Sequence, residues 1–148
     1  AEKLQDTVPV EWHDAIINSA NANGLSPKQL AAQLLSEGLT STSGQLAASE
    51  KSEGAVGIGQ HRGIFIKEWG DDFKAEYGRT YDPRNAQDNI NMTAFVMGKL
   101  IDKLGSWEAA LVAYNKGETV LNEYKKDKNL TLDDDGYVKG VKEKLSSD

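Results

Sequence analysis

The sequence contains no cysteine, and this absence excludes disulfide bonds, thiolate metal sites and a cysteine nucleophile. Histidine is nearly as scarce, because only His13 and His61 are present, and two separated histidines do not make a zinc site. We therefore expect neither a metal nor a cofactor. No apolar stretch approaches the roughly 20 residues that a membrane-spanning helix needs, so we also expect no membrane span.

Clustered basic charge is missing as well. The net charge is -6, and no block of Lys and Arg is present, which argues against a nucleic-acid partner.

A length of 148 residues suits a single domain with a substantial core. Since no repeat or Pro-rich linker divides the chain, we expect an N-terminal lead over residues 1–8 and one domain over residues 9–148. The chain begins at Ala1 without a visible signal peptide, which is compatible with a processed or excised domain.

Apolar residues recur at helical spacing through most of the chain, which predicts a mainly α fold. Ser26 and Ser106 are predicted helix caps, Asp82-Pro83 is predicted to cap the longest helix, and Gly105 to end it. The predicted helices cover residues 9–23, 26–38, 64–73, 90–104, 107–114, 118–124 and 137–145. Residues 39–59 are rich in Ser, Thr and Gly, and predict a long loop with room for a small β-hairpin. A loop of this length inside a domain tends to be functional.

Glu37 is the most informative residue, because it closes the apolar run of residues 30–37. A carboxylate on or beside a buried helical face is costly unless it is paired or protonated, and such a group often serves acid chemistry. Raising the pKa of a glutamate from about 4.3 to about 6–7 corresponds to roughly 2–4 kcal/mol of disfavoured ionisation, which a partly buried site can supply. Taken alone, Glu37 could equally be a charge at a helix end.

Three further segments follow Glu37 at characteristic spacing. They are Gly57-Ile58-Gly59-Gln60, the helix start at residues 85–90, and Ala113-Tyr114-Asn115-Lys116-Gly117. Together they resemble the soluble lytic transglycosylase family, whose pattern is Glu-Ser, Gly-Leu-Met-Gln, Asn-Ile and Ala-Tyr-Asn-Ala-Gly. Tyr137-Val138, with Val141, is similar to the family's closing Tyr-Val segment. The resemblance implies a lysozyme-like α-helical domain, related to goose-type lysozymes, with the long loop lying at the active site after the catalytic helix.

The resemblance also implies an activity, namely cleavage of the β-1,4 bond between N-acetylmuramic acid (MurNAc) and N-acetylglucosamine (GlcNAc) in peptidoglycan. Glu37 would be the single general acid and base, and the product would carry a 1,6-anhydroMurNAc end. The substrate's own N-acetyl group would act as the internal nucleophile, which accounts for the lack of a second carboxylate at matching spacing.

The supporting residues carry over by position. Gly57 would let the backbone approach the sugar, and Gln60 would hydrogen-bond to the substrate or to Glu37. Tyr114 resembles the tyrosine that holds the catalytic glutamate, and Asn115 the asparagine that reaches the reacting sugar and its N-acetyl group. Tyr137 would form a wall of the saccharide groove. The alternative is structural: Tyr114 as a core residue, Asn115 as a helix C-cap and Gln60 as a turn residue.

The sequence departs from the family pattern at two positions. Gly38 stands where the family has serine, so a hydroxyl next to the catalytic glutamate is missing, and Ser36 or Ser41 would have to replace it. Gly59 stands where the family has methionine, which removes an apolar contact. Neither change alters the expected reaction class.

Two other functions remain open from the sequence. A hydrolytic, goose-type-like muramidase would use Glu37 with Glu50 or Glu53 positioning a water, and an inactive module would only bind peptidoglycan. The acidic segment Asp133-Asp134-Asp135-Gly136 is predicted to cap the last helix, because a calcium loop would need Glu where Lys142 stands.

The implied partner is the glycan strand of peptidoglycan, so we expect an extracytoplasmic location, in the periplasm, the cell wall or a phage virion. The lead and the compact domain are similar to wall-degrading domains of phage virion proteins. A secreted or periplasmic bacterial enzyme, or a domain of a larger secretion-machine protein, is the alternative context.

Overall fold

The computed structural model describes residues 3–39 and 63–146, and within these ranges the chain forms α-helices and short 3₁₀ turns without a β-strand. The helices are α1 (His13–Ala22), α2 (Pro27–Ser36), α3 (Gly63–Tyr77), α4 (Ala86–Leu104), α5 (Trp107–Lys116), α6 (Glu118–Lys126) and α7 (Gly136–Glu143). The mainly α prediction is confirmed. The predicted active-site loop and its β-hairpin lie, apart from Leu39, outside the described residues.

Helix α4 runs through the centre of the domain and is buried on most of its surface. It packs against α1, α3 and α5, while α2 packs against α1 and α7. Two apolar clusters result. One joins α4 to α5, α6 and α7 through side chains such as Met92, Leu111 and Val138, and the other joins α4 to α1 and α2 through Ile90, Ile16 and others. Through these clusters, α2, α5 and α7 pack around α4 and on one another, which fixes the positions of their ends.

The helix caps follow from the local sequence in most cases. The Ser26 hydroxyl accepts the Gln29 N–H at 3.2 Å and the Ser106 hydroxyl accepts the Ala109 N–H at 3.1 Å, as predicted. Gly105 ends α4, also as predicted.

The prediction that Asp82-Pro83 caps this helix is wrong, because α4 begins only at Ala86. Its N-cap is Asn85, whose side chain accepts the Asp88 N–H at 2.9 Å. The Asp82 carboxylate instead accepts the Arg84 N–H at 2.9 Å and forms a turn before the helix.

The described part of the expected N-terminal lead packs onto the domain. Leu4 and Val8 are buried in the cluster of α1 and α2. The Gln5 amide is buried and donates to the carbonyl of Lys28 at 3.0 Å, in α2, and to that of Lys144 at 2.9 Å, just after α7. This segment therefore links α2 to α7, the two helices that carry Glu37 and Tyr137 at their ends. The division into a lead and a domain at residue 8 stays a prediction.

None of the helices in the described ranges combines the length and apolarity that crossing a membrane requires.

The close approach of α1 to α4 depends on Gly98. A Cβ at this position would lie 2.8 Å from the backbone oxygen of Asn23, which directly follows α1. Replacing Gly98 with Ala gains up to about 1 kcal/mol of helix propensity, but relieving the overlap costs about 1–3 kcal/mol. We expect Gly98→Ala to lower the free energy of unfolding by about 1–2 kcal/mol, measured by urea denaturation.

The matched control is Gly70→Ala in α3, where a new Cβ would meet nothing within 4 Å. This variant is expected to gain about 0.5–1 kcal/mol from helix propensity alone. A Gly98→Ala protein as stable as Gly70→Ala would show that the contact between α1 and α4 is not tight.

Candidate active site

Glu37 is the residue at which α2 ends. Its N–H still bonds to the carbonyls of Gln33 and Leu34, at 3.2 and 3.1 Å, and its side chain is half-buried. The chain then reverses: the Gly38 N–H bonds to the Leu35 carbonyl and the Leu39 N–H to the Leu34 carbonyl, each at 3.1 Å. This pair of bonds is the Schellman motif of a helix C-terminus. Glu37 is therefore held by the end of a well-packed helix.

The Schellman motif explains why position 38 is glycine. Gly38 has a φ of 102°, a conformation that a residue with a Cβ, including serine, adopts only with strain. The serine hydroxyl of the family pattern is therefore absent because the backbone conformation at position 38 favours glycine. Ser36, the residue before Glu37, is half-buried and lies close to the site. Its hydroxyl donates to the Gln33 carbonyl at 2.7 Å, and Ser36 also hydrogen-bonds to Tyr137. Ser41 lies outside the described residues.

Two tyrosines from other helices lie within electrostatic range of Glu37. Tyr114 comes from the last turn of α5 and Tyr137 from the first turn of α7. Burial raises the pKa of Tyr137, and the Glu37 charge raises it further, against hydrogen bonds to Gln33 and Ser36 that lower it. Burial also raises the pKa of Tyr114, and electrostatic interactions with Tyr137 and Glu37 raise it further. Both phenols are therefore neutral at physiological pH, and neutral phenols can donate hydrogen bonds to a carboxylate.

Gln33 holds the ring of Tyr137 in place. Its side chain is 1% exposed, and its Nε2 donates to the Tyr137 hydroxyl at 3.3 Å. Gln33 precedes Glu37 by four residues, so both side chains lie on one face of α2. The Tyr137 hydroxyl is therefore held by two residues of α2, since it also hydrogen-bonds to Ser36. Gln33 was not among the site residues predicted from the sequence, although an amide within an apolar run was a visible signal.

Tyr114 is held by α3 and α4. Its hydroxyl shares a hydrogen bond of 3.3 Å with the buried hydroxyl of Thr93. Its ring packs edge-to-face against Phe65, with 5.2 Å between the ring centroids. These contacts fix the ring, and the role of Tyr114 in holding Glu37 stays a prediction. Sequence reasoning missed Thr93 and Phe65, because neither lies near Tyr114 along the chain.

Asn115 follows Tyr114 and is exposed, and its Oδ1 accepts from the ammonium of Lys116 at 2.9 Å. It does not cap α5, which continues through Lys116 and has Gly117 as its C-cap. The same ammonium pairs with the buried carboxylate of Asp135 at 2.9 Å. Lys116 was not among the site residues predicted from the sequence.

Asp135 is the N-cap of α7, which confirms the prediction that the acidic segment caps the last helix. One of its oxygens accepts the N–H groups of Tyr137 and Val138, at 3.0 and 3.1 Å. Burial by itself would raise the pKa of Asp135, but hydrogen bonds from Lys116, the Val138 N–H and Tyr124 outweigh burial and lower it. Asp135 is therefore a buried, ionised group that fixes the helix start carrying Tyr137.

The structure thus brings Glu37, Tyr114 and Tyr137 together, with Asn115 beside Tyr114 on the same helix. Gly57 and Gln60 lie in residues 40–62, outside the described residues, so their predicted roles stay predictions. Glu50 and Glu53, the loop carboxylates of the hydrolytic alternative, lie in the same range.

Comparison with known proteins identifies the family. The family model described as "Transglycosylase SLT domain" matches residues 14–135, which is most of the chain. No curated protein matches the chain significantly. The matched range contains Glu37, Tyr114 and Asn115, and it ends two residues before Tyr137. The chain therefore belongs to the transglycosylase SLT domain family, and its function is of the peptidoglycan-degrading, lytic-transglycosylase type.

Proposed function

We propose that this domain is a lytic transglycosylase that cleaves the MurNAc-β-1,4-GlcNAc bond and forms 1,6-anhydroMurNAc, with Glu37 as its single general acid and base. The observation that carries this proposal is the position of Glu37 at the end of α2, half-buried and within electrostatic range of two neutral tyrosines. Membership of the SLT family supports the peptidoglycan substrate.

In the first step, protonated Glu37 donates its proton to the glycosidic oxygen, and the C1–O4 bond breaks through an oxocarbenium-like transition state. The carbonyl oxygen of the substrate's N-acetyl group attacks C1 and holds it as a covalent intermediate. After the step, Glu37 is a carboxylate, and the neutral phenols beside it are suitable donors to this charge.

In the second step, Glu37 removes the proton from the 6-hydroxyl of the same muramic acid, whose oxygen attacks C1. The C1–O6 bond forms, the N-acetyl oxygen leaves, and Glu37 is protonated again. The proton given up in the first step is thus recovered from the substrate, and no water is consumed. A single carboxyl group that alternates between acid and base is sufficient for this reaction.

The neighbouring residues supply the substrate contacts. Asn115, exposed beside Tyr114, offers its amide to the N-acetyl group, Tyr137 forms one wall of the groove, and Gly57 and Gln60 complete the site from the 40–62 segment. Tyr114 acts by holding Glu37. Peptidoglycan lies outside the cytoplasm, so the domain acts in the periplasm, in the cell wall or as part of a virion or secretion machine.

The products distinguish transglycosylation from hydrolysis. We expect digestion of purified peptidoglycan in water enriched in heavy oxygen to give fragments without the label, each lighter by one water than the corresponding hydrolysis product. Mass spectrometry measures both properties, and a hydrolytic lysozyme acting on the same peptidoglycan is the control that incorporates label. Labelled reducing ends would contradict the proposal and favour the muramidase, and Glu50→Gln and Glu53→Gln would then identify its second carboxylate. Binding without any cleavage would favour the inactive module.

A further inference from the structure

The Lys116 ammonium contacts three groups at the edge of the proposed site. Its Nζ lies 2.9 Å from Asp135 Oδ1, 2.9 Å from Asn115 Oδ1 and 5.9 Å from the centroid of the Tyr137 ring. Asn115 and Tyr137 are both proposed to contact the glycan, so Lys116 connects two substrate-binding side chains from different helices. The family pattern given above has alanine at this position.

The contact to Asn115 determines which end of its amide is available. An ammonium group has only donors, so the atom that it contacts must be the carbonyl oxygen of the amide. The NH₂ end of Asn115 is therefore left for other partners. The last torsion of an asparagine side chain is broad and roughly two-fold, and Asn115 is exposed, so its amide would take either orientation without Lys116.

Asp135 in turn fixes Lys116. Its side chain is 1% exposed and also accepts from the Tyr124 hydroxyl at 3.1 Å, in addition to the two N–H groups of α7. A carboxylate with this many partners has a single position. The ammonium that pairs with it is therefore held in place, even though Lys116 is 31% exposed.

We propose that Lys116 is a positioning residue, which holds the Asn115 amide with its N–H groups directed to the glycan and keeps the Tyr137 ring beside it. The site then selects for a hydrogen-bond acceptor on the sugar, such as the carbonyl oxygen of an N-acetyl group, at the Asn115 position. This inference rests on the proposed function, because it assigns the orientation of a substrate-binding residue of the same site.

Kinetics of the variants test the proposal. Lys116→Met is expected to lower kcat/KM on soluble glycan strands about tenfold, the effect of one well-oriented hydrogen bond, while Lys116→Arg retains most of the activity. If Lys116 acts through Asn115, adding Lys116→Met to Asn115→Ala has little further effect. Lys103→Met, which removes a 3.0 Å ion pair with Glu118, is the matched control and keeps wild-type kinetics. Independent, multiplicative losses from Lys116→Met and Asn115→Ala would overturn the proposal.

A second variant separates positioning from folding, because Lys116→Met leaves the Asp135 charge without its cation. In the double variant Lys116→Met/Asp135→Asn the charge is also removed, and an asparagine still serves as an N-cap. We expect the same tenfold loss in this folded protein, and wild-type kcat/KM in it would overturn the proposal.

Binding separates this inference from the proposed reaction. In a titration with an N-acetylglucosamine oligomer, followed by the NMR shift of the Asn115 side-chain amide, Lys116→Met is expected to bind about tenfold more weakly than Lys103→Met. If the two variants differ in this way but the wild-type protein never cleaves peptidoglycan, the proposed function is refuted and the positioning role is supported. Equal affinities of the two variants would refute the positioning role, whatever the activity.

Discussion

Replacement of Glu37 by glutamine is expected to lower the rate of glycan cleavage by about 10²–10⁴-fold, which is the usual contribution of a general acid or base. Glutamine has nearly the same shape but carries no transferable proton. Because one carboxyl group serves both steps of the proposed reaction, the substitution affects bond cleavage and ring closure alike. The measurement is the release of anhydro-muropeptides from purified peptidoglycan, quantified by mass spectrometry.

The control for Glu37→Gln is Glu11→Gln, which neutralises an exposed glutamate before α1 and is expected to keep wild-type activity. The melting temperature of each variant verifies the fold, and we expect Glu37→Gln to retain it, because the cap of α2 is formed by backbone groups around Gly38. A folded Glu37→Gln protein that cleaves at the wild-type rate would exclude Glu37 as the acid and base.

The largest effect on stability is expected for Asp135→Ala. This change removes the N-cap of α7, the acceptor for the Tyr124 hydroxyl and the partner of Lys116. Loss of a cap costs about 0.5–2 kcal/mol and loss of a buried ionic partner adds to it, although Lys116 can turn to solvent. We expect a decrease of about 2–4 kcal/mol in the free energy of unfolding, or roughly 5–15 °C in melting temperature.

The control for Asp135→Ala is Asp134→Ala. Asp134 also belongs to a capping arrangement, since it accepts the Thr131 N–H at 3.0 Å, but it is exposed, so the effect should be smaller. Equal decreases in the free energy of unfolding for the two substitutions would show that burial of Asp135 does not account for its contribution to stability.

The Asp135 effect should also depend on pH. The folded-state pKa of Asp135 lies below its unfolded value of about 3.9, so its ionisation stabilises the fold fully above that pH. The contribution is lost as the pH falls through the folded-state pKa. We therefore expect the difference in melting temperature between wild type and Asp135→Ala to shrink when the pH is lowered from 7 to about 2.5. A difference that is constant over this range would show that the carboxylate charge contributes nothing.

Much of the fold was predictable from the sequence because helix formation and capping are local. The periodicity of apolar residues indicated each helix of the described ranges, and Ser26, Ser106 and Gly105 marked their ends. The local signal failed at Asp82-Pro83, because the structure places the N-cap of α4 three residues later, at Asn85. Asp82 belongs to the turn before the helix, where its N–H donates to the buried carboxylate of Asp88 at 3.0 Å, a contact across six residues that a local cap signal does not include.

By itself, the sequence determined that the chain is mainly helical and that Glu37 ends an apolar helix, because both depend on residues within a few positions of each other. The family resemblance already implied that Tyr114 holds Glu37, but only the tertiary structure decided how Gln33 and Tyr137 are arranged beside it. Gln33 and Tyr137 are 104 positions apart, and Lys116 meets Asp135 across the whole of α6. Side-chain directions at such distances are set by how α2, α5 and α7 pack on α4 and on one another, and periodicity within one helix carries no information about that packing.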